Sequence, residues 1–127
     1  MRLRNIPGAG EVIENSEYAI KNPAMQKGKW KELFKNSNPL YIEIGMGKGK
    51  FIIENAIRYP DINFIGIERY SSVLLRAIQK MEELEEKPAN IRFICMDAGD
   101  ITEVFGEGEN PSGRISKVSR VKLICSG

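Results

Sequence analysis

The sequence predicts an α/β fold built on a parallel sheet, and three observations lead there. From Leu40 to Met96 the apolar residues alternate between strand-like and helical runs in the order β-α-β-α-β. A glycine-rich turn, Gly45-Met46-Gly47-Lys48-Gly49, joins the first strand to the first helix of that series. The second strand run, Asn63-Phe64-Ile65-Gly66-Ile67, is almost wholly apolar, as expected for a parallel strand covered on both faces.

Taken in order, residues 1–38 read as an irregular basic arm. Pro7-Gly8 and Asn22-Pro23 break it, and a short helix is expected around Lys29–Phe34. Leu40-Tyr41-Ile42-Glu43-Ile44 is the first strand. After the glycine turn, Phe51, Ile52, Ile53, Ala56 and Ile57 fall at helical spacing from Lys50 to Tyr59, and Pro60 ends that helix. Glu68 closes the second strand. Ser71 or Ser72 is expected to cap a helix running through Lys87, with Leu74, Ala77, Ile78, Met81 and Leu84 on one face and Pro88 as its stop. Ile91–Met96 is the third strand, Asp97 stands at its end, and a short helix is expected over Ile101–Phe105. The resulting organisation is an arm (residues 1–38), a β-α-β-α-β segment (residues 39–109) and a tail (residues 110–127). Right-handed crossovers should join the strands.

The overall charge of +2 conceals a division along the chain. Residues 1–40 carry seven Lys/Arg against four Glu, residues 41–109 eight against thirteen Asp/Glu, and residues 110–127 four against none. An acidic middle thus lies between basic ends. The lysines around Trp30 (Lys27, Lys29, Lys31) suit contact with phosphates, the alternative being a solvated lysine-rich face. With no histidine and with Cys95 and Cys125 thirty residues apart, no metal-ligand spacing exists, so no metal is expected. No apolar run approaches the roughly 20 residues of a membrane span, and a cytoplasmic location is expected.

Ligands of open parallel sheets bind beyond the carboxyl ends of the strands. Three such ends are acidic or glycine-rich. Gly45, Gly47 and Gly49 permit a tight turn and close approach of backbone to a ligand, although a plain turn accounts for such a loop equally well. Glu68 lies nineteen residues after Gly49, near the roughly twenty-residue offset at which a carboxylate takes the ribose hydroxyls of a nucleoside cofactor. Glu43, two residues before the loop, would repel a pyrophosphate but suits a cationic cofactor. The residues therefore favour S-adenosylmethionine over NAD. Asp97 is placed to accept from an adenine amino group, or simply to cap the next turn.

At these positions the chain resembles the class I, Rossmann-like, S-adenosylmethionine-dependent methyltransferases. It is most similar to the bacterial tRNA (guanine-N7)-methyltransferases. The resemblance rests on Arg2-Leu3-Arg4, Asn22-Pro23-Ala24, Lys27-Gly28-Lys29-Trp30, Ile42 through Gly49, Pro60 through Glu68, and Met96-Asp97-Ala98, and covers about residues 1–109. It implies an incomplete fold of about three parallel strands, transfer of a methyl group to guanine N7 in the tRNA variable loop, tRNA as partner, and Glu43, Glu68 and Asp97 as cofactor ligands. In the family a fourth strand then leads into Asp-Pro-Trp-Pro-Lys, which carries the catalytic aspartate. Residues 110–127 contain no such motif, so no catalytic residue is assigned and a truncated, inactive chain is expected. The alternatives are another class I methyltransferase or a non-catalytic cofactor- or RNA-binding remnant. Without the fourth strand, the first should expose an edge along Leu40–Ile44 and promote self-association. Only Val121–Ile124 in the tail has strand character.

Overall fold

A computed structural model describes residues 9–106 and the backbone of residues 124–125. The apolar runs form β1 (Leu40–Ile44), β2 (Asn63–Glu68) and β3 (Ile91–Cys95). β2 is central to this trio, pairing in parallel with β1 on one side and β3 on the other. In register, Glu43 lies opposite Gly66 and Glu68 opposite Cys95. Every residue of β1 and β2 is buried, including the polar Glu43, Asn63 and Glu68, as befits parallel strands covered on both faces.

A fourth strand, β4 (Ile124–Cys125), runs antiparallel to β1 and completes the order β3-β2-β1-β4. It places Cys125 opposite Leu40 and Ile124 opposite Tyr41. The edge expected to be bare is therefore occupied over its first two residues, and the stretch Val121–Ile124 supplies part of the covering strand. The remainder of the tail lies outside the described residues, as does Arg2-Leu3-Arg4.

Two helices carry the crossovers. α3 (Lys50–Arg58) and α4 (Ser71–Glu83) turn Ile52, Ile53, Ala56, Leu74, Ala77, Ile78 and Met81 onto one face of the sheet, against Phe64, Ile91 and Phe93. α4 stops four residues before Lys87. Leu84 is extended (ψ 138°), and continuing the helix would have gathered Glu82, Glu83, Glu85 and Glu86 at its negative end. Tyr70, not a serine, is its N-cap residue.

The arm is less irregular than its proline and glycine breaks suggest. It contains α1 (Ala9–Asn15), which packs on α4, a 3-10 turn at Pro23–Gln26, and α2 (Trp30–Phe34). Between them Ala19 bridges in parallel to Phe93, with Ile20 N–H donating to Phe93 O (2.9 Å) and Phe93 N–H to Tyr18 O (2.7 Å). The arm thus extends the sheet at the outer side of β3. Trp30 is 1% exposed on the face opposite α3 and α4, where it packs with Ile42, Ile65, Ile67, Ile94, Val104 and Phe105. Its indole N–H donates to Val104 O at 2.9 Å, and its ring stacks on Phe105 with centroids 5.3 Å apart. Burial of such a side chain stabilises by about 1.5–3 kcal/mol. The short helix expected over Ile101–Phe105 is a 3-10 segment, Ala98–Glu103, beginning three residues earlier because Asp97 caps it.

Candidate functional site

Beyond Ile44 the chain must leave the sheet and enter α3 within five residues. It does so with Gly45, Gly47 and Gly49 at φ 69°, 61° and 81°. A side chain in that region costs about 1–2 kcal/mol. The three glycines nevertheless serve different ends. A Cβ on Gly49 would come within 2.9 Å of the Ala77 Cβ, so this glycine lets α3 and α4 approach each other. A Cβ on Gly45 or Gly47 would meet nothing within 4 Å, leaving their backbone facing open space. The loop itself is held from below: Gly45 and Met46 N–H groups donate to Ile67 O (2.8 and 3.0 Å), and the Met46 sulfur rests where Gly66 has no side chain.

Glu68 ties this loop to the next helix. It is 6% exposed, yet one carboxylate oxygen accepts from Gly47 N–H (3.1 Å) and the other from Tyr70 N–H (3.0 Å). Each oxygen retains a second lone pair. Glu43 is 2% exposed, one strand away. Asp97 is exposed, and its Oδ1 accepts from Gly99 N–H at 2.9 Å, which is the capping role. Cys95 stands beside Glu68 in register; burial, and then the Glu68 charge, push its thiol above the ordinary cysteine range.

Two clefts flank Gly45. One, of about 300 Å³, is walled by Ile44, Ile67, Met96 and Ala98 and carries Glu68 and Asp97. The other, of about 470 Å³, has Glu43, Met46, Lys48, Lys50, Phe51 and Glu54 around it. The structure therefore brings Glu68 and Asp97 to one cleft and Glu43 to its neighbour, with Gly45 shared. Lys48, Lys50, Phe51 and Glu54 are lining residues that sequence reasoning passed over; Lys48 and Lys50 were visible inside and just after the glycine turn. Tyr70 contributes through its backbone N–H, for which no side-chain signature exists.

The basic run of the arm separates into two parts. Lys27, Lys29 and Lys31 are exposed, whereas Trp30 between them is core. The lysines are thus displayed from an anchored segment. Among the described residues no group of His, Cys, Asp or Glu is arranged to hold a metal ion, and no helix is long and apolar enough to cross a membrane.

Comparison with known proteins fits this geometry. A tRNA (guanine-N(7)-)-methyltransferase of Lachnoclostridium phytofermentans is 55% identical over 109 residues, covering 86% of this chain and 50% of that protein. The corresponding enzyme of Bacillus subtilis is 46% identical over 110 residues, covering 86% and 51%. The chain spans about half the length of the curated relatives it matches. Among solved structures, an antibiotic-related methyltransferase superposes with a TM-score of 0.50 at 22% identity, over 57% of this chain and 38% of that one, a likeness of fold. The family model described as putative methyltransferase matches residues 37–115, from just before β1 to beyond the last 3-10 segment, and the chain belongs to that family.

Proposed function

We propose that this chain carries the cofactor half of a tRNA (guanine-N7)-methyltransferase and binds S-adenosylmethionine across the carboxyl ends of β1, β2 and β3. The observation that carries this reading is the buried Glu68 carboxylate, gripping the glycine loop at the mouth of an apolar cleft. Its free lone pairs suit the two ribose hydroxyls. Ile44, Ile67, Met96 and Ala98 suit an adenine ring, and Asp97 lies within the same cleft. Gly45 and Gly47 let the cofactor lie against bare backbone, while Gly49 acts through packing. Glu43 offers a negative charge to the cationic end.

S-adenosylmethionine supplies a methyl group on a sulfonium, ready for direct transfer to a nucleophile. Guanine N7 presents an in-plane lone pair and needs no deprotonation, so a site without histidine suffices. What the chain's own residues contribute is orientation and electrostatics. The arm (residues 1–38) displays Lys27, Lys29 and Lys31 for the phosphates of tRNA, and the segment of residues 39–109 holds the cofactor. Residues 110–127 contain no Asp-Pro-Trp-Pro-Lys motif, from which we infer cofactor binding without efficient methyl transfer by this chain alone. A cytoplasmic location suits such a reaction.

Calorimetric titration tests the cofactor reading: S-adenosylmethionine should bind and NAD should not compete. Equal affinity for the two would discard it. Labelled-methyl transfer to unmodified tRNA tests the catalytic reading, with no guanine-N7 product expected.

A further inference from the structure

Trp30 belongs to two neighbourhoods at once. In sequence it stands between Lys29 and Lys31, both exposed on the arm. In space its side chain is held by the stretch that follows β3: the indole N–H donates to Val104 O at 2.9 Å, and the ring stacks on Phe105. That stretch begins in the smaller cleft. Met96, Asp97 and Ala98 line the cleft beside Glu68, whereas Trp30 is not part of its wall. Residues 96–105 therefore run from the cleft at one end to the arm at the other.

Little within this stretch fixes its own position. Its 3-10 segment is interrupted at Asp100 (φ −97°, ψ 15°), which divides it into two turns, and turns of that length do not hold themselves. The first is capped by the Asp97 carboxylate, and the second, closed by Val104 and Phe105 N–H groups on Ile101 O (3.1 and 3.0 Å), is fastened to the arm through Trp30. Packing joins the same parts. Trp30, Ile101, Val104 and Phe105 share one apolar cluster with Ile44 and Ile67, which also line the cleft, and Met96 and Ala98 pack against that cluster. Withdrawing Trp30 would take the indole donor from Val104 O and leave a gap in the cluster behind the cleft wall.

We propose that Trp30 is a positioning residue that couples the arm to the cleft, so that RNA on the arm and a nucleoside cofactor in the cleft bind cooperatively. The proposal rests on the cofactor reading and on the arm's lysines meeting tRNA, and goes beyond both by linking the two ligands. With Trp30 docked, the wall at Met96–Ala98 is supported from behind and Lys29 and Lys31 are held on an anchored helix. Each ligand favours that docked arrangement. Each therefore raises the affinity for the other, and by the same factor.

Calorimetric titration of the full chain with S-adenosylhomocysteine, alone and in the presence of saturating unmodified tRNA, measures the coupling. Affinity should be about fivefold or more higher with tRNA, and tRNA affinity should rise by the same factor with S-adenosylhomocysteine. In Trp30→Phe, which keeps a ring for Phe105 but has no N–H for Val104 O, that factor should fall toward one. Asn90→Ala, at the opposite end of the sheet, serves as the control for lost stability and should leave the factor unchanged. A second measurement needs no variant: Trp30, the sole tryptophan, should become harder to quench with acrylamide once S-adenosylhomocysteine is bound. Equal or weaker affinity in the presence of tRNA would overturn the proposal while leaving the cofactor reading intact, as would a factor that survives Trp30→Phe or falls equally in Asn90→Ala. If the unaltered chain binds no S-adenosylhomocysteine, the cofactor reading falls and the proposal with it; if it binds that nucleoside but no tRNA, the proposal alone falls with the arm's role.

Discussion

The two ends of the sheet solve the same problem in opposite ways. At the amino ends, loops are closed by neutral amides. The Asn90 side-chain amide, at the start of β3, donates to Ala56 O (3.0 Å), Tyr59 O (3.1 Å) and Ile62 O (2.8 Å), which closes the end of α3 and the turn into β2. Asn63 donates to Asn36 Oδ1 at 2.7 Å and joins β2 to the segment before β1. At the carboxyl ends, the loop is closed by a carboxylate, Glu68, and by glycines whose backbone faces open space. Both ends have clefts: one of about 380 Å³ lies beside Asn90, Ile57 and Pro88. Cavity size does not separate a site from a seam. The difference lies in whether the polar groups at hand have spent their hydrogen-bonding capacity on the protein itself.

That contrast can be broken first at Asn90. Asn90→Ala would take the side-chain donor from Ala56 O and Ile62 O, while Tyr59 O keeps the Ile62 N–H, at a cost of about 2–4 kcal/mol. Urea unfolding should register this loss while cofactor affinity of the folded chain is unchanged. An affinity loss as large as the stability loss would show that the two ends are not independent.

Glu68→Ala should do the reverse. Affinity for S-adenosylmethionine is expected to fall by about 1.5–3 kcal/mol through lost charge-assisted hydrogen bonds, read by calorimetry. Stability should fall less than in the Asn90 variant, since the Gly47 and Tyr70 bonds are part-buried, whereas the bond from Asn90 to Ala56 O is buried.

A smaller effect sharpens the electrostatic side. Burial and the neighbouring Glu68 charge hold the Cys95 thiol above its usual range, so its alkylation rate should rise with pH later than that of a free cysteine. In Glu68→Gln the profile should move back toward lower pH. Peptide mapping separates Cys95 from Cys125; a profile indifferent to Glu68 would remove the carboxylate from the thiol's surroundings. The smallest effect belongs to the arm: replacing Lys27, Lys29 and Lys31 by alanine should flatten the salt dependence of tRNA binding, since each phosphate neutralised releases counterions. An unchanged slope would return those lysines to a solvated face.

The parts legible in the sequence were those governed by local pattern. β1, the glycine turn and the helix after it follow from a strand run that is apolar apart from Glu43, three glycines and a 3.6-residue period, and they stand where the sequence places them. Glu43 and Glu68 were legible as strand-end carboxylates. The arm was not, because its order comes from partners far along the chain: Trp30 from Val104, and Tyr18 and Ile20 from Phe93. No periodicity within residues 9–38 encodes them. Nor does spacing reveal that Gly49 faces Ala77 while Gly45 and Gly47 face open space, which depends on how close α4 comes. The end of α4 at Glu83 was missed because Leu84 keeps the apolar period while the clustered glutamates oppose it.

The bond from the Trp30 indole to Val104 joins residues 74 apart in sequence. During synthesis the arm emerges before its acceptor, Val104 O, and before the Phe93 backbone that pairs with Tyr18 and Ile20. The beginning of the chain must therefore wait for the strands to assemble before it has anywhere to dock, and closing that long loop carries its entropic cost ahead of any reward. Trp30 is the sole tryptophan of the chain, so its fluorescence reports that event alone. In refolding experiments the fluorescence change should follow the appearance of sheet circular dichroism; simultaneous changes would mean that the arm joins the nucleus from the start.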